Sequence, residues 1–320
     1  MERIAVKSNT KDNRKKEKFK LWIKSYITNW NLVVMLIPGL LAFTLFSYLP
    51  MQGIVIAFKD YKVFDGIWGS EWIGFKNFAD MFAGDDFLRA LKNTFEISFL
   101  KILFAFPMPI LFAIILNECT FNRYKRIIQT FSYLPHFFSW IALSGIMTQV
   151  FSTSGAVNML LSVFGVKEPV LFFADGFWFR FMIIITDIWK EFGWSSIIYL
   201  AAIMGIDPSL YEAAKIDGAG RLKQAIHITI PGIIPTIVTM FILRLSSVLN
   251  VGLDQIYSMY NPMVYDVSDI LDTYVLRILQ AADYSFGTAV GLFKSVVNLI
   301  FVVAGNFVVR KLTHGEQGIF

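Results

Sequence analysis

Long uncharged apolar runs alternate with short charged segments along this chain. After Lys24 the next charged residue is Lys59, and the gap holds NLVVMLIPGLLAFTLFSYLP. About 20 apolar residues are needed to cross roughly 30 Å of hydrocarbon, so the pattern predicts a first spanning helix over 31–52. A second is predicted over 94–116, where Pro107 and Pro109 each lack a backbone donor and predict a kink. The charge-free gap between Arg126 and Lys167 predicts a third over 127–150, and a fourth over 179–204 is interrupted by Asp187, Lys190 and Glu191. The fifth is expected over 233–252 and the sixth over 288–309. The first run starts too late, runs too long and lacks the small-residue cleavage site of a secretory leader. The expected fold is all-α, a six-helix polytopic membrane protein with both termini on one side.

Composition agrees with the pattern. The chain has 320 residues, 56% hydrophobic and 16% aromatic, and only 17% charged, against about 25% in a soluble domain. That excludes a disordered chain, a disulfide scaffold and a soluble nucleic-acid binder inferred only from the net charge of +5; the single cysteine, Cys119, has no partner for an intramolecular bridge.

The placement of charge then orients the chain. Seventeen of the 29 Lys and Arg fall on the side that holds the termini, nine of them before the first span, and seven fall on the other side. Cytoplasmic segments carry such an excess, so both termini are expected in the cytoplasm. The domain reading is a basic tail over 1–30, a transmembrane domain over 31–310 and a tail over 311–320. The run KDNRKKEKFK belongs to the topology signal rather than to nucleic-acid binding.

One cytoplasmic loop, 205–231, is too amphipathic for a simple connector: DPSLYEAAKIDGAGRLKQAIHITIPGIIP. Asp207 suits an N-cap with Pro208 at the first helical position. Gly218 and Gly220 supply a sharp turn. A projecting helix of this kind fits a groove on another protein.

These residues resemble the signature of the permease subunits of ATP-binding-cassette importers: Glu-Ala-Ala, three residues, Gly, nine residues, then Ile-x-Leu-Pro. Here it reads Glu212, Ala213, Ala214, Gly218, Ile228 and Pro231, with Ile230 in place of the usual Leu. The resemblance extends through DIWKEFGWSSIIYLAAIMGIDPSLYEAAKIDGAG, NVGLDQIYSMYNPMVYDVSDILDTYV and FGTAVGLFKSVVNLI. It covers most of the chain from about residue 30, on the maltose-permease-like branch and in its LplB-type polysaccharide or oligosaccharide subgroup. It implies that the loop, including Asp217, is a coupling helix seated in an ATPase subunit. Glu212 would make the polar contact, Ala213 and Ala214 would pack closely, and Gly218 would permit the turn. It implies further partners: a second, non-identical permease, two copies of the ATPase and an extracytoplasmic solute-binding protein. The sequence has no GxxxxGK[ST] phosphate loop. ATP and Mg are therefore expected on the partner ATPase, with no cofactor on this chain, which is a transport subunit and not an enzyme.

Charges within spans are costly and mark solute paths. Glu96, Lys101, Asp187, Lys190, Glu191, Arg244 and Lys294 are expected to converge on one hydrated cavity. Ser247 and Asn250 continue a polar stripe from Arg244 toward Asp254, Asn298 lies one turn beyond Lys294, and Trp189 and Trp194 offer aromatic faces for sugar rings. The plain alternative is mutual pairing and snorkelling. Four bases against three acids favour an acidic, uronate-containing oligosaccharide, such as a pectin, alginate or glycosaminoglycan fragment, over a neutral one. The acidic segment 253–287 is the expected outer docking or gating surface. His136, His227 and His314 are scattered without metal-site spacing. Ser139, Ala142 and Gly145 suit close helix packing. An ion-coupled secondary transporter would also explain buried charges, and a membrane scaffold or sensor would explain the loop. Neither explains both.

Overall fold

A computed structural model describes residues 28–312. The basic N-terminal tail expected over 1–30 lies almost wholly outside the described residues, as does the C-terminal tail beyond 312, with His314. The chain divides into two units, Met1–Ile56 with Lys62–Ser70, and Ala57–Tyr61 with Glu71–Phe320.

In the first unit, α1 (Trp30–Phe43) carries Pro38 internally and passes into a π turn, Thr44–Tyr48. The Ser70 hydroxyl closes the short segment 62–70, accepting from Lys62 N at 3.0 Å and donating to Gly66 O at 2.7 Å.

The second unit opens with a two-stranded antiparallel sheet, β1 (Lys59–Asp60) and β2 (Glu71–Trp72), pairing Lys59 with Trp72. Helix α2 (Lys76–Ala83) precedes α3 (Asp85–Leu100), which runs through a π turn, Lys101–Ala105, into α4 (Pro107–Asn117). Asp85–Asn117 is one 33-residue span. The kink predicted from Pro107 and Pro109 is thus a widened turn, closed by Phe106 N to Lys101 O at 3.0 Å. Pro107 would press its ring on the carbonyl four residues back, and one extra residue in the turn relieves that clash. The same spacing recurs twice: the π turn Thr44–Tyr48 precedes Pro50, and Ala225–Thr229 precedes Pro231.

The third expected span is not one helix. It is α5 (Asn122–Tyr133), a tight turn over Leu134–Phe137, and α6 (Trp140–Val150). Leu134 keeps helical dihedrals, and the chain breaks at Phe138 and Ser139, which are extended with ψ of 142 and 151; Ser139 N-caps the new helix by accepting from Ala142 N at 3.2 Å. At 11 residues α6 is too short to cross alone. Helix α7 (Ala156–Val163) follows. Gly145 has nothing within 4 Å of an added Cβ among the described residues of this chain.

Helix α8 (Gly176–Met204) is the 29-residue fourth span, N-capped by Asp175, and α9 (Pro208–Ile216) leaves it at 72°. The fifth span, Arg221–Leu245, passes through the π turn Ala225–Thr229 into α10 (Ile230–Leu245). It stops earlier than expected, at Leu245. Short helices follow, α11 (Leu253–Met259) and α12 (Leu271–Gln280), and α13 (Tyr284–Leu312) is the last span. Among the described residues four helices are long and apolar enough to cross a membrane, or five when the α8–α9 pair counts as one bent span.

Helix α8 organises the unit. Its Phe179 and Ile183 pack with Ile97, Ile256 and Ile270, while its Tyr199, Leu200 and Ile203 pack with Ala113, Leu116 and Ile233. Gly193 brings α8 against α5 so closely that a Cβ there would lie 2.1 Å from Ser132 O.

Candidate functional site: a charged cavity and a projecting helix

A cavity of about 490 Å³ lies between the second, fourth and fifth spans and α6. Its polar wall is Lys101, Asp187, Glu191, Ser195, Tyr199, Arg244 and Asn250, and Trp140, Phe106 and Phe192 supply aromatic surface.

The charges in this wall are unequally committed. Lys101, 3% exposed, has all three ammonium protons engaged: Asp187 Oδ1 at 2.6 Å, Val251 O at 2.8 Å and Gln255 Oε1 at 2.7 Å. Gln255 in turn donates to Ile183 O at 2.7 Å and Thr186 Oγ1 at 3.0 Å. Buried charge is tolerated where every donor is met, and this node stitches the non-helical stretch after Leu245 to α3 and α8. Glu191 is held by His136 Nδ1 at 2.9 Å and Lys190 Nζ at 3.5 Å. The Arg244 guanidinium, half-buried at the end of α10, makes no hydrogen bond or ion pair with a described residue.

Several expected residues lie elsewhere. Lys190 is buried behind the wall, donating to His136 O at 2.6 Å with its ammonium over the Trp140 ring. Trp194 stacks on His136 and Trp189 is exposed, and neither lines the cavity. Lys294 pairs with Asp272, and Asn298 Oδ1 accepts from Leu249 N at 3.1 Å. Because α10 ends at Leu245, the helical stripe through Ser247, Asn250 and Asp254 does not form; Asn250 reaches the cavity from irregular backbone and Ser247 does not. Glu96 pairs with Arg180 at 2.5 Å, away from the cavity. Gly252, at φ +100, turns the chain beside Lys101 in a left-handed conformation that favours glycine.

The acids of 253–287 are partly spent within the fold. Asp269, 1% exposed, takes Arg277 on both oxygens, at 3.2 and 2.8 Å, and Thr273 Oγ1 at 2.8 Å. That carboxylate holds the Arg277 guanidinium above its ordinary pKa. Asp272 is taken by Lys294, and Asp283 Oδ1 caps α13 through Phe286 N. Asp254, Asp266 and Asp283 remain exposed, so two of the five acids are held in ion pairs and three face outward.

Residues not singled out from sequence complete the site. His136 and Trp140 come from the broken third span, Gln255 from α11, and Tyr199 from α8.

At the far end of α8 the projecting helix is built as its sequence specifies. Asp207 caps it, accepting from Ser209 N at 2.9 Å, and that N–H holds the Asp207 carboxyl below the usual carboxylate range. Gly218, at φ +75, ends it: Ala219 N bonds Ala214 O at 2.8 Å and Gly218 N bonds Lys215 O at 3.1 Å, the paired closure of a glycine-terminated helix. Tyr211 Oη lies 2.9 Å from Thr229 Oγ1, tying the helix to the π turn below Pro231. Glu212, Ala213 and Asp217 are exposed, as are the large apolar Leu210 and Ile216. His227 Nδ1 lies 3.0 Å from Lys223 O within the following turn.

Residues 105–314 match the family described as binding-protein-dependent transport system inner membrane component. Protein LplB of Bacillus subtilis (strain 168) is 47% identical, over 93% of this chain and 94% of its own length. The polygalacturonan/rhamnogalacturonan transport system permease protein YteP of the same organism is 44% identical, over 96% and 95%. A solved bacterial ABC transporter involved in import of the acidic polysaccharide alginate superposes with a TM-score of 0.84 at 42% identity, over 92% of this chain and 99% of that one. An alginate transporter solved with an alginate pentasaccharide-bound periplasmic protein superposes at 0.85 with 41% identity. The chain belongs to the binding-protein-dependent transport system inner membrane components, the permease subunits of ABC importers.

Proposed function

We propose that this chain is one of two permease subunits of an ATP-driven importer, and that it passes a uronate-containing oligosaccharide through the cavity beside Arg244. The observation that carries this reading is the state of the cations. Lys101 is neutralised by Asp187 and Lys190 is buried behind the wall, whereas Arg244 faces the cavity with no described partner. A guanidinium in that position meets a carboxylate by charge-assisted, bidentate hydrogen bonds. Trp140, Phe106 and Tyr199 give the C–H faces of sugar rings apolar surface. The relatives support the same class, since one is named for polygalacturonan and rhamnogalacturonan and two structures for alginate.

Helix α9 is the handle for the ATPase. Glu212 is its polar contact, Ala213 and Ala214 its close-packing face, and Asp217, Gly218 and Pro231 fix its end and its return to the membrane. ATP and Mg act on the partner ATPase dimer, and a solute-binding protein delivers the sugar from outside. Both termini are cytoplasmic, as the basic excess directs. Closure of the ATPase on ATP rocks α9 and, through α8, switches access to the cavity.

The experiment is reconstitution of the whole transporter in proteoliposomes. ATP hydrolysis stimulated by uronate-loaded binding protein, with accumulation of the sugar, supports the reading. Uptake that proceeds without any ATPase favours ion-coupled transport and overturns it.

A further inference from the structure

Glu191 and Arg244 line one cavity, yet the carboxylate is held elsewhere: Oε2 lies 2.9 Å from His136 Nδ1 and Oε1 lies 3.5 Å from Lys190 Nζ. A carboxylate only accepts, so Nδ1 carries the proton and donates it. His136 is itself fixed. Its ring lies face to face with Trp194, 4.6 Å between centroids and 3° from parallel, and its carbonyl accepts from Lys190 Nζ at 2.6 Å. In an unbroken helix that carbonyl would be bonded along the helix. The turn over Leu134–Phe137 instead aims both the ring and the carbonyl of one residue at α8, one helical turn from Gly193, where the two backbones nearly touch.

We propose that His136 is a positioning residue: it holds Glu191 away from Arg244, and so keeps Arg244 available to the carboxylates of the passing sugar. This rests on the acidic-oligosaccharide reading above. A released Glu191 is an intramolecular competitor at an effective concentration of at least millimolar order, which an external uronate must outcompete. Lys190 cannot take over the restraint. Its contact with Glu191 is the longer one, and its short bond goes to the His136 carbonyl.

The test is uptake of a uronate pentasaccharide by the complete transporter in proteoliposomes at saturating binding protein. His136→Phe keeps an aromatic ring for Trp194 and removes the donor, His136→Gln keeps a donor, and His136→Phe with Glu191→Gln removes the competitor. We expect uptake to fall about tenfold in His136→Phe, a charge-assisted hydrogen bond's worth. It should return to within about twofold of wild type in His136→Gln and in the double variant, the signature of a coupled pair. Unchanged uptake in His136→Phe, or a double variant as slow as His136→Phe, overturns the inference and leaves a purely structural turn. A wild-type transporter that ignores uronates and carries neutral oligosaccharides overturns the substrate reading, and this inference with it.

Discussion

Lys101 Nζ lies 2.6 Å from Asp187 Oδ1, joining the second span to the fourth across a site where neither charge is freely hydrated. With all three ammonium protons of Lys101 engaged, the pair organises the wall. Removing one member leaves the other buried without compensation. Lys101→Met should cost about 3 kcal/mol or more of stability and lower the unfolding temperature of the purified transporter. Lys101→Met with Asp187→Asn should recover part of that loss, measured by thermal unfolding in detergent.

Gly193 and Gly145 should respond oppositely to alanine. At Gly193 the new Cβ would meet the Ser132 carbonyl oxygen at 2.1 Å and its carbon at 2.5 Å, backbone atoms that cannot swing aside. Gly193→Ala should abolish recovery of monodisperse protein. Gly145→Ala finds open space and gains up to about 1 kcal/mol of helix propensity, so its recovery by size exclusion should equal or exceed wild type.

Helix α9 should fail from either end. Gly218→Val imposes a branched side chain on φ +75 and Asp207→Ala deletes the cap. Both should reduce co-purification of the ATPase at neutral pH, and Glu212→Arg should abolish it. Asp207 has a lowered carboxyl pKa, so its cap is fully present above the ordinary carboxylate value of 3.8 and is lost only as pH falls through the lowered one. Asp207→Asn, which still accepts from Ser209 N, should therefore match wild type at neutral pH.

Arg277 should anchor α12. With Asp269 1% exposed, Arg277→Met leaves a buried carboxylate to the Thr273 hydroxyl alone. Hydrogen exchange should accelerate over 265–280 while α8 stays protected.

Hydropathy made the last span legible, because α13 is a long apolar run that closes on Arg310 and Lys311. It could not see the break in the third span, since the gap from Arg126 to Lys167 is apolar on both sides of the turn; Pro135 was the available signal. The early end of α10 was hidden for the same reason, and with it the loss of the stripe through Ser247. Helix α9 was legible down to Asp207 and Gly218 because caps and left-handed turns are local chemistry. The cavity was legible only in part. Asp187, Glu191 and Arg244 stood out as charges within spans, but the partner of Glu191 is a histidine 55 residues away, and nothing local marks it. Arg180 and Asn93 were not singled out, although they join α3 to α8 at 3.1 Å.

Uptake of a uronate pentasaccharide and of a neutral pentasaccharide, each delivered by binding protein to the complete transporter, should be compared between wild type and Arg244→Gln. Loss of one charge-assisted contact is worth about a tenfold to hundredfold effect. Wild type should import the uronate with ATP hydrolysis, and Arg244→Gln should lose that uptake by about this factor while Gly145→Ala does not. If wild type carries only the neutral sugar, or if Arg244→Gln imports the uronate at the wild-type rate, Arg244 is not the group that receives an acidic sugar.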